Sequence, residues 1–579
     1  MANKVLQRPK VQENLNRNAF DRSFLRNKNQ SAGMIVPVMA EPCIAGTKGV
    51  INRKVFTRSA QVVSPAFPVV DQCFDFFKVP IRYLMSSWND WKLNINDIGS
   101  SAILNSLSTG KPDLSLNASL PYINFGNDSG SFPYRVDDAI STYLPSVTLQ
   151  NRVIFLNNLK RLYEGLGYGT MGAYIQSVSD QANAKNIFKI CAYQKVYFDH
   201  YRNTSYESNN PFAYNIDDLY RKGTSKWDFT SDIYEIQRFM DMWTLRYVNY
   251  RNDFYKNIYP SLNYVSSVPI GNDFIIPSNV VGASSSYSSD SFRVFNRPAS
   301  GSAVLGQQSV NLTSSNQFIS AQSIRAMFAL DKLARASAYT PKHVRDQFKA
   351  RFGIDVGEEV SHESERLGSF KNSIVFGEVT NVAESSSSAL GEVGGKGIGA
   401  SDFDKDIHFY CEEDSIILGV CYFIPRACYD LQPDEWNNYL TRESFFQPEF
   451  QNLGLRPMQN DYGIIFGYTV PNQRYKLGAD FNEGLFKTTD FRYNISGTSV
   501  AHTVQPGALR TFSVHSQPVY GLDAAASADY FKVKPSDLDA IFATSYSNEG
   551  SMLTDQFFYN VVIKFAVTQN MSVHGQPSL

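Results

Sequence analysis

The chain has 579 residues and a formal net charge of −1, with 19% charged and 14% aromatic residues. No apolar run reaches the roughly 18 residues of a membrane-spanning helix, and the N-terminal stretch lacks the apolar core of a secretory signal. We therefore expect a soluble protein made in a cytoplasm. Ordinary soluble proteins are about 25% charged, so much of this polar surface must be Ser, Asn, Gln, Thr and Tyr. Neighbouring subunits cover such a surface without burying many charges, which favours assembly.

The first sixty residues are strongly basic. They hold eleven Lys or Arg against three acids, a local balance of +8, and the first thirty are rich in Asn and Gln. This composition is typical of a basic arm that lies against a polyanion, and a solvated tail is the alternative.

Three later stretches have the pattern of β-strands. Residues 68–80 alternate Val70, Phe74 and Phe76 with Asp71 and Asp75. Residues 414–425 are apolar nearly throughout, as in a strand that is covered on both faces. Residues 557–573 place an apolar series on one side and a polar series on the other: Val561, Ile563, Phe565 and Val567 against Asn560, Lys564 and Thr568.

The middle of the chain is more helical. Apolar residues from 187 to 201 are spaced to line one helix face, and a second candidate runs from about 231 to 256. The clearest helix prediction is TPKHVRDQFKARFG, in which Thr340 caps, Pro341 opens the first turn and Gly353 takes the left-handed position after the end. Met327, Leu330 and Leu333 belong to a preceding helix.

Strands near both chain ends, with long insertions between them, predict a jelly roll or a similar antiparallel sandwich. The connection 262–318 is dominated by Ser, Asn, Gly, Val and Pro, so it is either disordered or a functional protrusion. The six cysteines form no CxxC pair and are interpreted as reduced core residues.

The stretch GEVGGKGIGAS, residues 391–401, raises the question of a phosphate-binding loop. Lys396 is followed by Gly397 instead of Ser or Thr, and Leu390 stands where the first glycine belongs. A mobile glycine–serine loop is the interpretation that remains.

The sequence contains no recognisable set of catalytic residues. The seven histidines have no metal-site spacing, and His362-Glu363 is followed by Arg366 where a zincin needs a second histidine. Adjacent carboxylates such as Glu412-Glu413 and Glu358-Glu359 are candidates for glycoside hydrolysis, but such pairs are far more often solvated turn residues. We expect no enzyme activity and no cofactor.

Residues 31–91 open with Ala-Gly-x-x-x-Pro at residues 32–37, continue through an Arg58 to Pro65 approach and end with an aromatic strand and Trp88. In that order they resemble the start of the major capsid protein of the Microviridae, the small single-stranded DNA bacteriophages, and the gokushovirus-like subgroup of gut Bacteroidetes-associated phages in particular. The resemblance continues through AYQKVYFDHYRN (192–203), IRAMFALDKLARASAYTPKHVRDQFKARFGI (324–354) and the last 25 or so residues. Ala45-Gly46-Thr47 departs from the common Pro-Gly-Asp, which bears on the subgroup more than on the family. The residues that carry the motif are Gly33, Pro37, Arg58, Pro65, Phe77, Pro80, Arg82 and Trp88.

The resemblance implies a mainly β fold, an eight-stranded antiparallel jelly roll with long helical and irregular insertions, repeated sixty times in a T=1 icosahedral virion that is assembled in the host bacterial cytoplasm. It also implies partners: pentamer intermediates, the single-stranded DNA genome, a small basic packaging protein, a scaffolding protein, a minor (pilot) capsid protein and a host surface receptor. The candidate DNA-facing residues are then Lys4, Arg8, Lys10, Arg17, Arg22 and Arg26. Phe20 and Phe24 beside them are candidates for stacking on bases, although burial under a neighbour is favoured.

The same resemblance organises the chain into an arm and one domain. Residues 1–60 form the basic arm and first interface segment, and residues 61–579 form a single capsid domain. Its insertions are a variable segment (93–150), a helical insertion (151–257), a candidate threefold surface protrusion (262–318), a helical segment (319–355) and a Ser/Gly-rich loop (385–401).

Two other classes stay open. An aromatic-rich, neutral chain of this length also suits a bacterial cell-surface glycan-binding protein, which would need an export signal. The other class is an oligosaccharide-cleaving enzyme with a β-sandwich domain, and this hypothesis is weakened because the sequence shows no set of catalytic residues.

Overall fold

A computed structural model describes most of the two chain ends and parts of the middle. The described residues are 17–62, 69–93, 120–126, 136–145, 147, 149–169, 171, 174–175, 184–221, 227–229, 232–259, 291–295, 307–311, 325, 328–330, 332–333, 336, 340–377, 395–403, 405–430, 435–450, 454–459, 465–478, 480–483, 531–538, 541–542 and 555–573.

The fold is mainly β. Its strands are β1 Arg17–Asp21, β2 Phe24–Gln30, β3 Val36–Cys43, β4 Lys48–Val62, β5 Val70–Pro80, β6 Tyr122–Gly126, β7 Tyr174–Ile175, β8 Ala184–Asn186, β9 Ser291–Phe295, β10 Gln307–Asn311, β11 Glu365–Gly377, β12 Gly395–Ser401, β13 Ile407–Tyr410, β14 Ser415–Pro425, β15 Tyr429–Asp430, β16 Arg456–Gln459, β17 Ile465–Thr469, β18 Phe481–Asn482 and β19 Phe557–Asn570.

The helices lie mainly between β5 and β11. They are α1 Trp88–Lys92, α2 Val136–Tyr143, α3 Leu149–Gly165, α4 Phe188–Val196, α5 Asp217–Arg221, α6 Ile233–Trp243, α7 Val344–Phe352 and α8 Glu358–Ser361, with a π-helical turn at Tyr197–Tyr201 and a 3₁₀ turn at Ile81–Tyr83. None of the helices in the described part of the chain is long and apolar enough to cross a membrane.

Ten strands form one large antiparallel sheet. Its order is β1, β19, β4, β12, β11, β5, β14, β3, with β2 also pairing β19 and β13 also pairing β4. Strand β19, close to the C-terminus, therefore lies between the first strands of the chain and β4. The prediction that the two chain ends contribute to sheet is confirmed.

The sheet curls so that its two halves face each other across the core. Phe423 of β14 stacks on Phe557 of β19, with ring centroids 4.2 Å apart, and Phe74 of β5 meets Tyr559 edge to face. The inner side of β19 is buried as its alternation predicted, and β14 is buried along its whole length. Arg53 of β4 is also buried here, with its guanidinium carbon 5.1 Å from the centre of the Phe370 ring.

The helical insertion covers β3 and the outer side of β5 and β14. The helix predicted from the apolar residues between 187 and 201 is confirmed as α4 and the π-helical turn after it, and those residues are buried. The burial extends beyond one face, because nearly every residue from Phe188 to Tyr201 is buried. A helix that is buried on all sides needs no polar face. The second candidate is a helix only over Ile233–Trp243, where Asp232 caps the N-terminus by accepting from two backbone N–H groups.

The helix predicted at TPKHVRDQFKARFG begins later than expected. It runs over Val344–Phe352 with His343 at the N-cap, so the capping role of Thr340 and the first-turn role of Pro341 were wrong. The side chain of Gln347 turns back and donates to both of their carbonyl oxygens. The end was predicted correctly, because Gly353 is left-handed with φ +70°.

Residues 395–401 are a strand, β12, and not the mobile loop that the glycines suggested. Strand β12 pairs with β4 on one side and with β11 on the other. A Cβ at Gly397 would stand 2.8 Å from the Phe376 ring, and one at Gly399 would stand 2.9 Å from Asn372. The glycines therefore leave room for side chains of the neighbouring strand. Residues 385–394 lie outside the described residues.

All six cysteines are free thiols, and five of them are buried, which confirms the prediction of core residues for those five; Cys428 is half-buried. Of the predicted protrusion 262–318, the described residues are the strands β9 and β10, which pair antiparallel.

Candidate functional site

Gly33 and Pro37 lie where β2 turns into β3. Gly33 has φ +79°, its N–H donates to the carbonyl oxygen of Phe423 at 2.9 Å, and its own carbonyl oxygen accepts from Val248 N–H at 2.8 Å. The carbonyl oxygen of Pro37 accepts from Lys28 Nζ at 2.7 Å. This turn joins the strand β14 to the segment that follows α6.

Phe77 and Asp75 of β5 connect the sheet to the helical insertion. Phe77 is buried and lies against the His200 ring, with centroids 4.7 Å apart. On the same side of the strand, the buried Asp75 carboxylate accepts from Tyr201 Oη at 2.6 Å, from Tyr422 Oη at 2.7 Å and from Arg366 Nη2 at 2.8 Å. Burial raises the pKa of Tyr201 well above its usual value, so this hydroxyl stays protonated as a donor.

Pro80, Arg82 and Trp88 surround an acidic run, residues 412–414. Pro80 ends β5 opposite Ser415. Arg82 forms an ion pair with Glu413 through Nη2 at 3.0 Å, and Trp88 Nε1 donates to the Asp414 carboxylate at 3.1 Å.

The third member of the acidic run, Glu412, pairs with Lys78 of β5 at 2.9 Å. The interpretation of Glu412 and Glu413 as turn residues is confirmed, since both lie in a bend, and the Glu412 side chain is 55% exposed. They are ion-paired to the end of β5 and the turn that follows it.

The described members of the predicted DNA-facing set have contacts within the chain. Arg17 donates to the carbonyl oxygen of Gly46 at 2.6 Å. Arg22 pairs with Glu41 and donates to the carbonyl oxygen of Pro42, and Arg26 lies over the Phe24 ring. The remaining predicted residues, Lys4, Arg8, Lys10 and the motif residue Pro65, lie outside the described residues. Phe20 and Phe24 are half-buried against the core.

Arg58 differs from the other motif residues that the structure describes because it points away from the core. It is exposed on β4 and lies over the ring of Phe56, with its guanidinium carbon 5.1 Å from the ring centre. In the register of the sheet it stands directly opposite Phe558 of β19. Arg58 makes no ion pair within the described ranges. The sequence motifs did not identify this outer surface, although the alternation Lys54, Phe56, Arg58 in the chain was a usable signal.

A cavity of about 500 Å³ lies between the helical insertion and the segment before β11. His343 and Glu363 line it, with Nδ1 and Oε1 3.8 Å apart. Burial lowers the pKa of His343 and raises that of Glu363, because it disfavours the charged form of each group.

Beside this cavity Ser364, His200 and Asp199 meet, yet their geometry does not activate the serine. His200 Nε2 lies 2.7 Å from the Ser364 carbonyl oxygen, which only accepts, so this nitrogen carries the proton. It therefore cannot take a proton from the Ser364 hydroxyl, which donates to Asp199 at 2.8 Å. The arrangement fixes the chain that enters β11.

Asp241, near the end of α6, is a site of pH-dependent stability. It accepts from Asn210 Nδ2 at 2.8 Å, and burial raises its pKa from 3.8 to about 6. The unfolded chain loses this proton near pH 4 and the folded chain near pH 6, so the free energy of unfolding falls as the pH rises through that window.

Asp241→Asn should therefore raise the free energy of unfolding by about 1–3 kcal/mol over the wild type at pH 7.5 and leave it unchanged at pH 4. Urea unfolding of both proteins at the two pH values measures the difference, and an equal gain at both would contradict the assignment.

In the described part of the chain, no group of three or more His, Cys, Asp or Glu is placed to hold a metal ion. No protein-family model matches the sequence, and no curated protein matches it. The fold and these sites therefore define a mainly β protein with a curled antiparallel sheet, and its function is a matter of proposal.

Proposed function

We propose that this chain is the structural major capsid protein of a small single-stranded DNA bacteriophage of the Microviridae type. In this proposal eight strands of the curled sheet form a jelly roll. The other two, β1 and β2, pair with β19 and belong to the arm. The protein assembles with identical copies around the genome and catalyses no reaction. The sequence motifs named above, from Gly33 to Trp88, are the basis of the family assignment.

The observation that carries the assembly proposal is the apolar surface around α7. Val344, Phe348 and Phe352 recur on one side of this helix and are 47%, 40% and 67% exposed. Phe328 and Leu333, from the preceding segment, are 62% and 50% exposed. Exposed apolar groups at helical spacing are typical of a surface that a second protein covers. In a closed shell, many such modest contacts act together.

Velocity sedimentation tests the proposal. The chain is expressed together with the other proteins encoded on the same genome, because a scaffolding protein is part of the proposal. We expect pentamers and large uniform particles. A monomer that binds glycans would favour the alternative, a bacterial cell-surface glycan-binding protein.

The basic arm is proposed to face the genome from inside the shell. Sixty arms of +8 carry about 480 positive charges, far fewer than the negative charges of a genome of a few thousand nucleotides. A small basic packaging protein or polyamines must supply the remainder.

Replacing Lys4, Arg8, Lys10 and Arg17 with Gln should lower the yield of DNA-filled particles more than that of empty shells. The ratio of absorbance at 260 nm to that at 280 nm across a density gradient measures the two yields. Equal loss of both would assign the arm to assembly instead.

The proposal also keeps residues 262–318 as the surface protrusion that contacts the host receptor. Its serine-rich middle, GASSSYSSDSF (282–292), suits an exposed binding loop.

A further inference from the structure

One outward surface of the large sheet has the composition of a nucleic-acid platform. Strands β2, β19, β4 and β12 are neighbours. Their exposed side chains, where the structure describes them, include Lys48, Lys54, Arg58 and Lys564 and no Asp or Glu. On β4 and β19 the outward positions include Lys54, Arg58 and Lys564. Lys54 and Lys564 have acidic partners in the loop between β12 and β13, Asp402 at 3.3 Å and Asp406 at 3.7 Å.

Two aromatic rings stand exposed in the middle of this surface. Phe56 of β4 is 42% exposed and Phe558 of β19 is 43% exposed. In the register Phe558 is opposite Arg58, and Phe56 is opposite Asn560. Phe56 and Phe558 are therefore diagonal neighbours, whose Cα atoms in a sheet lie about 7–8 Å apart. Leaving two phenylalanines half-exposed in a sheet is unfavourable unless a partner covers them.

The rings border a shallow groove of about 490 Å³, lined also by Arg58, Asn27 and Asn560. Asn560 Nδ2 donates to Asn27 Oδ1 at 2.6 Å. This hydrogen bond leaves the NH₂ group of Asn27 to donate to a ligand and the side-chain carbonyl oxygen of Asn560 to accept from one. Amide groups of this kind form hydrogen bonds with the edges of unpaired bases.

We infer that this surface binds single-stranded DNA, with bases stacked on Phe56 and Phe558 and phosphates held by Arg58 and Lys54. Every unpaired base offers a face to an aromatic ring, whereas the bases of a duplex stack on each other and are closed to such rings. A protein partner is disfavoured, because covering the rings would also desolvate Arg58, which has no acidic partner among the described residues. The inference deepens the proposed function and rests on it for the source of the DNA.

Fluorescence anisotropy of the full-length protein with a labelled oligothymidylate of about 20 nucleotides tests the inference. Phe56→Ala and Phe558→Ala should each weaken binding about tenfold, and the double variant about a hundredfold. Arg58→Gln should reduce the slope of log affinity against log salt by about 0.7. A duplex of the same length should bind more weakly than the single strand.

The matched control is Phe446→Ala with Phe450→Ala, two phenylalanines that are 45% and 42% exposed on another part of the surface. It should bind the oligonucleotide as the wild type does. The double variant Phe56→Tyr with Phe558→Tyr should also retain binding, and thermal unfolding of each variant separates lost binding from lost folding.

Two results would overturn the inference. One is a wild-type protein that binds no oligothymidylate. The other is a Phe56→Ala, Phe558→Ala variant that binds it normally but forms smaller oligomers, which would assign the surface to a second copy of the chain. Particle formation, scored by sedimentation on the same samples, tests the capsid proposal separately. If particles form but the oligonucleotide does not bind, only the inference of a DNA-binding surface is refuted. If the oligonucleotide binds but no particles form, only the capsid proposal is refuted.

Discussion

Replacing Gly33 with alanine should cost at least about 3 kcal/mol of the free energy of unfolding and leave little soluble protein. Two penalties add at this position. With φ at +79°, any side chain is strained by about 1–2 kcal/mol. A Cβ would also stand 2.0 Å from the carbonyl oxygen of Val533, and backbone cannot rotate out of the way as a flexible side chain would. Because Gly33 hydrogen-bonds to both Phe423 and Val248, the strain reaches β14 and the insertion.

Gly353→Ala is the matched control for this prediction. Gly353 has a similar φ of +70°, but a Cβ at this position would have no atom within 4 Å, so only the backbone penalty of about 1–2 kcal/mol applies. Urea unfolding and soluble yield measure both variants. If the two alanines cost the same, the close approach of Val533 has no energetic consequence and the explanation of this turn is wrong.

Replacing Asp75 with alanine should destabilise the protein by about 3–5 kcal/mol. The carboxylate is 2% exposed and accepts from Tyr201, Tyr422 and Arg366, which belong to three different segments. Its removal leaves two buried hydroxyls and a guanidinium without their acceptor. Urea unfolding measures the loss.

Asp480→Ala provides the comparison for Asp75. Asp480 also pairs with an arginine, Arg426, but the two side chains are 42% and 65% exposed. An exposed ion pair contributes at most about 1 kcal/mol, so this variant should remain close to the wild type. A loss at Asp75 no larger than that at Asp480 would show that the network does not join the insertion to the sheet.

The sequence predicted those parts of the fold that depend on local periodicity. The alternation in β19 and the continuous apolar run in β14 identified both strands, because one is covered on one face and the other on two. The left-handed Gly353 was also predicted, since that signal lies within one turn of the chain.

The sequence could not predict features that depend on pairing between distant segments. The glycines of β12 resemble a loop, and only the register with β11 shows that Phe376 and Asn372 occupy the space that side chains would need. The role of Glu412 likewise required the position of Lys78, more than 300 residues earlier.

The candidate binding surface could not be predicted for the same reason. The basic residues near the N-terminus are the stronger signal in the sequence, yet Arg22 pairs with Glu41 inside the chain. The outward rings Phe56 and Phe558 are about 500 residues apart in sequence and become neighbours only because β19 pairs with β4. No periodicity within either strand alone brings them together.

The mass of the assembled protein tests the central claim most directly. Particles purified after expression with the accompanying phage proteins can be weighed by mass photometry and imaged by electron microscopy. Sixty copies of a 65.1 kDa chain predict a closed, uniform shell of about 3.9 MDa before any DNA is counted. A population that stays at the mass of one or a few chains under those conditions would contradict the account.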